Sequence, residues 1–95
     1  MINPANNQMK VKHVKDKELG DVYIGRGSRW GNPFIIGKDG DRAEVIAKYR
    51  VWLWNNKELM SHWRKLVGHD LLCHCAPKAC HGDVLIKMVT WRLMK

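Results

Sequence analysis

Short apolar runs and helically spaced apolar positions alternate along this chain. Residues 10–15 alternate between polar and apolar, residues 22–24 are β-branched or aromatic, and each of these runs predicts a short strand. A third strand is predicted at residues 34–36, after a segment dense in Gly, Ser, Asn and Pro. Residues 70–75 form another apolar run and predict a buried strand, which a turn at Pro77 ends.

Apolar residues at helical spacing predict three helices. The first is capped by Asp41, with a Glu three residues further on in the pattern of a capping box, and it ends at Asn55 and Asn56. A weaker helical pattern follows over residues 57–67, and a glycine stands directly after it. The last helix begins near Cys80, and its apolar face is predicted to pack inward.

Strands that alternate with helices predict an α/β fold, or a compact α+β fold, with a three- to four-stranded mixed sheet and about three helices. A chain of 95 residues has room for one hydrophobic core. We therefore expect a single small α/β domain over residues 10–95. Residues 1–9 are polar and Asn-rich, and they are expected to form a flexible tail.

The net charge is strongly positive, with 17 Lys and Arg against 9 Asp and Glu, which leaves +8. Such an excess attracts polyanions and speeds encounters with them. The basic residues are spread along the chain, which favours a charged face on a folded domain over a basic arm. A nucleic acid or nucleotide is the partner this charge favours, while an acidic host protein or a merely solvated surface stays open.

The apolar runs are far too short to cross a bilayer, and the first residues lack a signal-peptide pattern. We therefore expect no membrane partner and a cytoplasmic protein, in a bacterial host if a phage encodes it. Three cysteines fall within eight positions, an odd count that does not make a disulfide framework. Free thiols fit this pattern better.

The cysteine segment is the first candidate for chemistry, and three interpretations stay open. Cys80 precedes a helix whose N-terminus favours a thiolate, so Cys80, His81 and Asp83 are candidate catalytic residues. A zinc site would use Cys73, Cys75, Cys80 and His81, although this spacing is not a common one. In the third interpretation the cysteines fill the core, and His81 and Asp83 cap the helix.

The Gly-rich segment over residues 25–33 is the second candidate, as an anion-binding loop that follows a strand. It matches neither the Walker loop nor the dinucleotide fingerprint. The candidate ligand-binding residues combine charge, hydrogen bonding and a ring on which a base could stack; they are Arg26, Ser28, Arg29, Trp30 and Asn32. The alternative is that Trp30 packs into the core and Asn32 shapes a turn.

Two stretches carry a resemblance to a known family. Residues 22–34 read VYIGRGSRWGNPF, residues 73–85 read CHCAPKACHGDVL, and together they resemble the small bacterial and phage "domain of unknown function 4326" family over about residues 10–90. The resemblance implies a domain of this size that occurs in phage genomes, with no settled activity. It also implies that the two stretches meet in space.

Loops that leave the carboxyl ends of neighbouring parallel strands gather at one edge of a sheet. If both loops do so, they form one basic cleft, and the leading hypothesis is a phage-encoded domain that binds nucleic acid or a nucleotide there. The first alternative is an enzyme acting on a nucleotide or nucleobase through Cys80, His81 and Asp83. The second is an inhibitor, used in host takeover, that docks on an acidic host protein.

Overall fold

A computed structural model describes residues 9–94 of the chain. Three short strands form its sheet: β1 (Val11–His13), β2 (Val22–Tyr23) and β3 (Leu71–Cys73). The helices are α1 (Arg42–Trp54), α2 (Lys57–Met60) and α3 (His81–Leu93). The predicted α/β class, with three strands and three helices, is confirmed.

The sheet is parallel throughout its described part rather than mixed. Its order is β1-β3-β2, so β3 is central and pairs with both neighbours, with Leu71 opposite Val11 and Val22. Neighbouring parallel strands need crossover connections, and here α1 and α2 lie between β2 and β3 in the chain. All residues of β3 are buried, as expected for a central parallel strand.

The core forms where α3 packs on β3 and on α1. Its fully buried side chains come from β3, from the two long helices and from the segments after β2 and after a 3-10 turn at Trp63–Lys65, and the largest are Ile24, Tyr49, Leu53, Leu66, Leu71, Leu85, Met88 and Val89. Met9 is buried in the same cluster, whereas the rest of the predicted tail lies outside the described residues. No helix within residues 9–94 is long and apolar enough to cross a membrane.

The helix ends follow the predicted capping chemistry. The Asp41 carboxylate accepts from the Glu44 amide at 2.8 Å, and the Glu44 side chain accepts from the Asp41 amide, which completes the capping box of α1. Asn55 then ends the helix. The predicted helix over residues 57–67 is instead split into α2 and a 3-10 turn at Trp63–Lys65, because the chain turns at Ser61.

The strand predicted at residues 34–36 does not form. The backbone amide of Phe34 donates to the Asn32 side chain at 2.9 Å, and that of Ile35 donates to the Asp39 carboxylate at 2.8 Å. These two backbone donors are therefore satisfied within the loop and not by a neighbouring strand, and the segment forms a turn ahead of α1.

A partly buried charge cluster links the three strands near their amino ends. Lys12 of β1 contacts Asp21, just before β2, at 2.8 Å and Asp70, just before β3, at 3.5 Å. Glu18 is a third, exposed partner at 3.1 Å. The hydrogen bond from Lys12 lowers the pKa of Asp21, and the same bond raises the pKa of Lys12. This cluster links elements that are distant in sequence, so its loss should lower the stability of the whole sheet.

Replacing Asp21 by Asn tests this cluster through the pH dependence of stability. Because the folded pKa of Asp21 lies below its ordinary value of 3.8, its stabilising effect is present above that pH and is lost as the pH falls through the folded pKa. Asp21→Asn should therefore be less stable than the original protein at pH 7, and its loss of stability in acid should be shallower by up to about one proton.

Urea titrations between pH 7 and acid pH measure both effects. Asp16→Asn is the matched control, since Asp16 is exposed and lies outside the cluster. Identical pH profiles for Asp21→Asn and Asp16→Asn would contradict the role assigned to Lys12 and Asp21.

Candidate functional site

Two loops enclose one cavity at the carboxyl edge of the sheet. The first loop follows β2, the second runs from β3 to α3, and the two strands are parallel neighbours. The cavity between them has a volume of about 320 Å³. We call it the loop cavity, and its lining residues come from both loops and from α1: Tyr23, Gly25, Arg26, Asn32, Phe34, Ile36, Arg42, Val45, Ile46, Cys73, His74, Cys75, Ala79, Cys80 and His81.

The first loop is held in shape by its own polar side chains. Ser28 donates its hydroxyl to the carbonyl of Gly25 at 2.7 Å. The Asn32 amide nitrogen donates to the Val45 carbonyl of α1 at 3.2 Å, and its oxygen accepts from the Phe34 amide. Of the residues predicted to bind ligand, Arg26 and Asn32 line the loop cavity, whereas Ser28 and Arg29 do not.

Trp30 requires a correction, because the exposed ring predicted for base stacking is not available. The residue is only 3 % exposed and belongs to the hydrophobic core. The buried hydroxyl of Tyr49 donates to the Trp30 carbonyl at 2.7 Å, which fixes this part of the loop against α1. Trp30 is therefore an anchor of the loop, in line with the alternative that placed it in the core.

The second loop ends in a cap of α3 built from predicted site residues. The Cys80 sulfur accepts from the Gly82 amide at 3.3 Å, and the Asp83 carboxylate accepts from the Cys80 amide at 3.3 Å. A Cβ at Gly82 would lie 2.7 Å from Val11 and 2.9 Å from Ile24, so glycine allows the helix start to approach the strands. Asp83 serves this cap and lines no part of the loop cavity.

Cys73 and Cys80 form a close pair in the cavity wall. Their sulfur atoms are 3.1 Å apart, and the backbone amide of Cys75 donates to the Cys73 sulfur at 3.4 Å. The hydrogen bond from the Cys80 thiol lowers the pKa of Cys73, and the same bond, together with burial, raises the pKa of Cys80. The two sulfurs share one proton, and with that proton on Cys80 the thiolate lies on Cys73 rather than on Cys80, where the sequence predicted it.

His81 faces the first loop through its ring. Its Nε2 lies 2.7 Å from the carbonyl of Ile24, which can only accept, so Nε2 carries the proton. Burial lowers the pKa of His81, which keeps the ring neutral. The ring also meets Tyr49 edge-on at 4.9 Å. This bond joins the start of α3 to the end of β2 and leaves Nε2 engaged with the backbone.

The four candidate zinc ligands are not arranged around a common centre. Within the described residues, no group of three or more His, Cys, Asp or Glu side chains is placed to hold a metal ion. Cys73 and Cys80 contact each other, whereas the Nε2 of His81 is directed to Ile24. These donors therefore do not fit the tetrahedral zinc site that their spacing left open.

Sequence reasoning missed Arg42 and the apolar wall of the cavity. Arg42, in the first turn of α1, donates to the Ala79 carbonyl at 3.0 Å and so joins α1 to the second loop. Phe34 and Ile46 contribute apolar surface to the same cavity, and we call them its apolar wall. The available signal was the position of Arg42 directly after the capping Asp41, at the end of a Gly-rich connection that returns to the sheet edge.

The fold and the site together define a small parallel α/β domain with a thiol-lined cavity at the carboxyl edge of its sheet. The chain belongs to the family described as Domain of unknown function (DUF4326), which matches residues 7–91. It is 38 % identical over 80 residues to the "Uncharacterized 12.4 kDa protein in nrdA-td intergenic region" of Enterobacteria phage T4, an alignment that covers 79 % of this chain and 71 % of the relative.

This relationship makes the chain a phage-associated domain, as the resemblance implied. No solved structure matches it.

Two tyrosines that bond to the first loop, Tyr23 of β2 and Tyr49 of α1, provide a test of how this loop is held. Tyr49 and Tyr23 each donate a hydroxyl to a carbonyl of this loop, Trp30 and Arg26 respectively, but Tyr49 is fully buried and Tyr23 is 38 % exposed. Tyr49→Phe should lower the free energy of unfolding by about 1–2 kcal/mol, because it leaves a buried carbonyl unsatisfied.

Tyr23→Phe is the matched control and should cost less than about 0.5 kcal/mol, since water can replace its hydroxyl. Urea denaturation followed by tryptophan fluorescence measures both variants. Equal losses of unfolding free energy in the two variants would show that the buried Tyr49–Trp30 hydrogen bond contributes no more to the loop than the exposed one does.

Proposed function

We propose that the loop cavity binds a nucleotide, with a phosphate at Arg26 and Arg42 and the base and sugar against the apolar wall. The observation that carries the proposal is the meeting of both loops around one cavity whose lining contains both arginines and apolar side chains. Small-molecule sites typically combine an apolar lining with a few placed polar groups. A nucleotide likewise combines an anionic part with a largely apolar one.

Arg26 is the residue best placed to receive an anion. It is exposed, lines the cavity and makes no hydrogen bond or ion pair with the described residues through its guanidinium. Its planar fork of donors suits two oxygens of one phosphate. Arg42 donates one N–H to the Ala79 carbonyl, and its remaining donors are available to the same anion. The net charge of +8 adds a long-range attraction for anionic ligands.

The size of the cavity favours a single nucleotide over a nucleic-acid strand. Its volume of about 320 Å³ is near the lower end of the range of about 300–1,000 Å³ found for small-molecule sites. Trp30, the ring predicted to stack a base along an exposed strand-binding surface, is buried in the core. A strand could therefore place only one of its nucleotides in this cavity, and contacts beyond it would depend on surface charge.

An enzyme acting on a nucleotide is the second candidate, and the observation that favours it is the position of Cys73. Its sulfur lies in the wall of the cavity and is the member of the pair on which the thiolate is favoured. Cys80 and His81 line the same cavity, whereas Asp83 caps α3. The third hypothesis, docking on an acidic host protein, rests on the net charge alone.

Calorimetric titration with the common ribo- and deoxynucleoside 5′-monophosphates tests the proposal. Arg26→Ala should weaken binding of the best monophosphate about tenfold or more, because a charge-assisted hydrogen bond is lost. The matched control is Arg29→Ala, which removes an exposed arginine of the same loop from outside the cavity and should change affinity less than about twofold.

The parent nucleosides, which lack the phosphate, should bind more weakly to the unsubstituted protein and should not distinguish Arg26→Ala from it. Equal losses of affinity in Arg26→Ala and Arg29→Ala would show that diffuse surface charge, and not this site, attracts the nucleotide. The absence of binding by every monophosphate would overturn the proposal. Under the enzymatic alternative, heat continues to be released after saturation because the nucleotide is being consumed.

A further inference from the structure

Cys73 and Cys80 bring two nucleophilic sulfurs into direct contact. Their sulfurs are 3.1 Å apart, at the end of β3 and at the cap of α3. Both residues are almost completely buried, at 1 % and 3 % exposure, yet both line the loop cavity. A disulfide has a sulfur–sulfur distance of about 2.05 Å, so closing this bond requires a movement of only about 1 Å.

We propose that Cys73 and Cys80 are a reversible dithiol–disulfide pair that a small hydroperoxide oxidises through the loop cavity. This proposal concerns the cysteines themselves and stands whether or not a nucleotide is the ligand. It assigns a modification site to the wall of the cavity.

The surroundings of the pair give each cysteine a different part in the reaction. Each sulfur accepts from one backbone amide, Cys73 from Cys75 and Cys80 from Gly82, and such donors stabilise a thiolate. One thiol proton lies between the two sulfurs, and either of them can donate it. With that proton on Cys80, Cys73 is the attacking sulfur, and Cys80 is the resolving one, already in contact with it.

The reaction balances with a hydroperoxide as the only added reactant. The Cys73 thiolate attacks one peroxide oxygen, the O–O bond breaks, and the departing hydroxide takes up a proton to leave as water. The Cys80 sulfur then attacks the sulfur of the sulfenic acid, the S–O bond breaks, and the second oxygen leaves as water with the Cys80 proton. Two thiols are oxidised, one hydrogen peroxide is reduced, and an added dithiol reverses the reaction.

Cys75 provides an internal control. It lies between the two sulfurs in sequence and is only partly buried, but it contributes its backbone amide to the pair and not its sulfur. If oxidation followed exposure alone, Cys75 would react first. If it follows the geometry of the pair, Cys75 remains a free thiol and its replacement leaves the reaction unchanged.

Intact mass and thiol counts on the full chain test the proposal. The reduced protein is treated with hydrogen peroxide, and it should lose about 2 Da while its free thiols fall by two. Of its three cysteines, one then remains reactive. Added dithiothreitol should restore the original mass and thiol count. A covalent dimer, or stable addition of oxygen with no disulfide, would overturn the proposal.

Tryptic digestion identifies a bond to Cys80, and the Cys75→Ser variant then identifies Cys73 as its partner. Cleavage after Lys78 separates Cys80 from Cys73 and Cys75, so a disulfide to Cys80 joins two peptides, whereas one between Cys73 and Cys75 does not. In Cys75→Ser the joined peptides should persist and form at a rate within about twofold of the original. Loss of the joined peptides in Cys75→Ser would contradict the assignment.

Two further variants separate the attacking from the resolving sulfur. Cys80→Ala should stop at a sulfenic acid on Cys73, which dimedone traps, while Cys73→Ala should lose peroxide-sensitive thiols about tenfold more slowly. Far-UV circular dichroism establishes that each variant is folded, and Cys80→Ser and Cys73→Ser replace any that is not. Trapping on Cys80 in Cys73→Ala at the original rate would reverse the assigned roles.

Discussion

The parallel pairing of β2 with β3 is the constraint on which the rest of the site depends. Because the two strands run side by side in the same direction, the connections that follow them must leave at the same edge of the sheet. Ile24 continues this alignment by donating its amide to the Leu72 carbonyl at 2.9 Å and accepting from the ring of His81. The strand pairing therefore fixes not only the sheet but also the start of α3 relative to the first loop.

The polar residues of both loops are used mainly to build the cavity rather than to fill it. Asn32 is bonded to α1, Asp83 to its own helix cap, and His81 to the end of β2. This leaves Arg26, most of the Arg42 guanidinium and the paired sulfurs as the groups with chemistry to offer. The cavity therefore combines arginine side chains with two oxidisable, nucleophilic sulfurs, and the two proposals draw on separate parts of it.

Much of the fold was predictable because local chemistry decides it. Asp41 caps α1 and Cys80 precedes α3 at the predicted positions, since capping depends on side chains within three residues of the helix start. Local chemistry also explains why no strand forms at residues 34–36. The Asp39 carboxylate accepts from the Ile35 amide, and the hydrophobic pattern of the sequence does not reveal such a bond. The parallel sheet order depends on long-range pairing, which no local pattern specifies.

The site was predictable in outline and not in detail. Both loops and their meeting followed from strand–loop order, but the burial of Trp30 depends on Tyr49, nineteen positions away. The preference for a thiolate on Cys73 depends likewise on its contact with Cys80. Arg42 enters the site only because α1 is placed beside the second loop.

The proposed nucleotide site spans both loops, and the amide chemical shifts of the two loops test whether they bind together. Each deoxynucleoside 5′-monophosphate is titrated in turn into isotope-labelled protein. One of them is expected to shift amides of residues 25–34 and of residues 74–82 together, with one common affinity. Shifts confined to one loop, or found only at distant basic residues, would show that the two loops do not form a shared site.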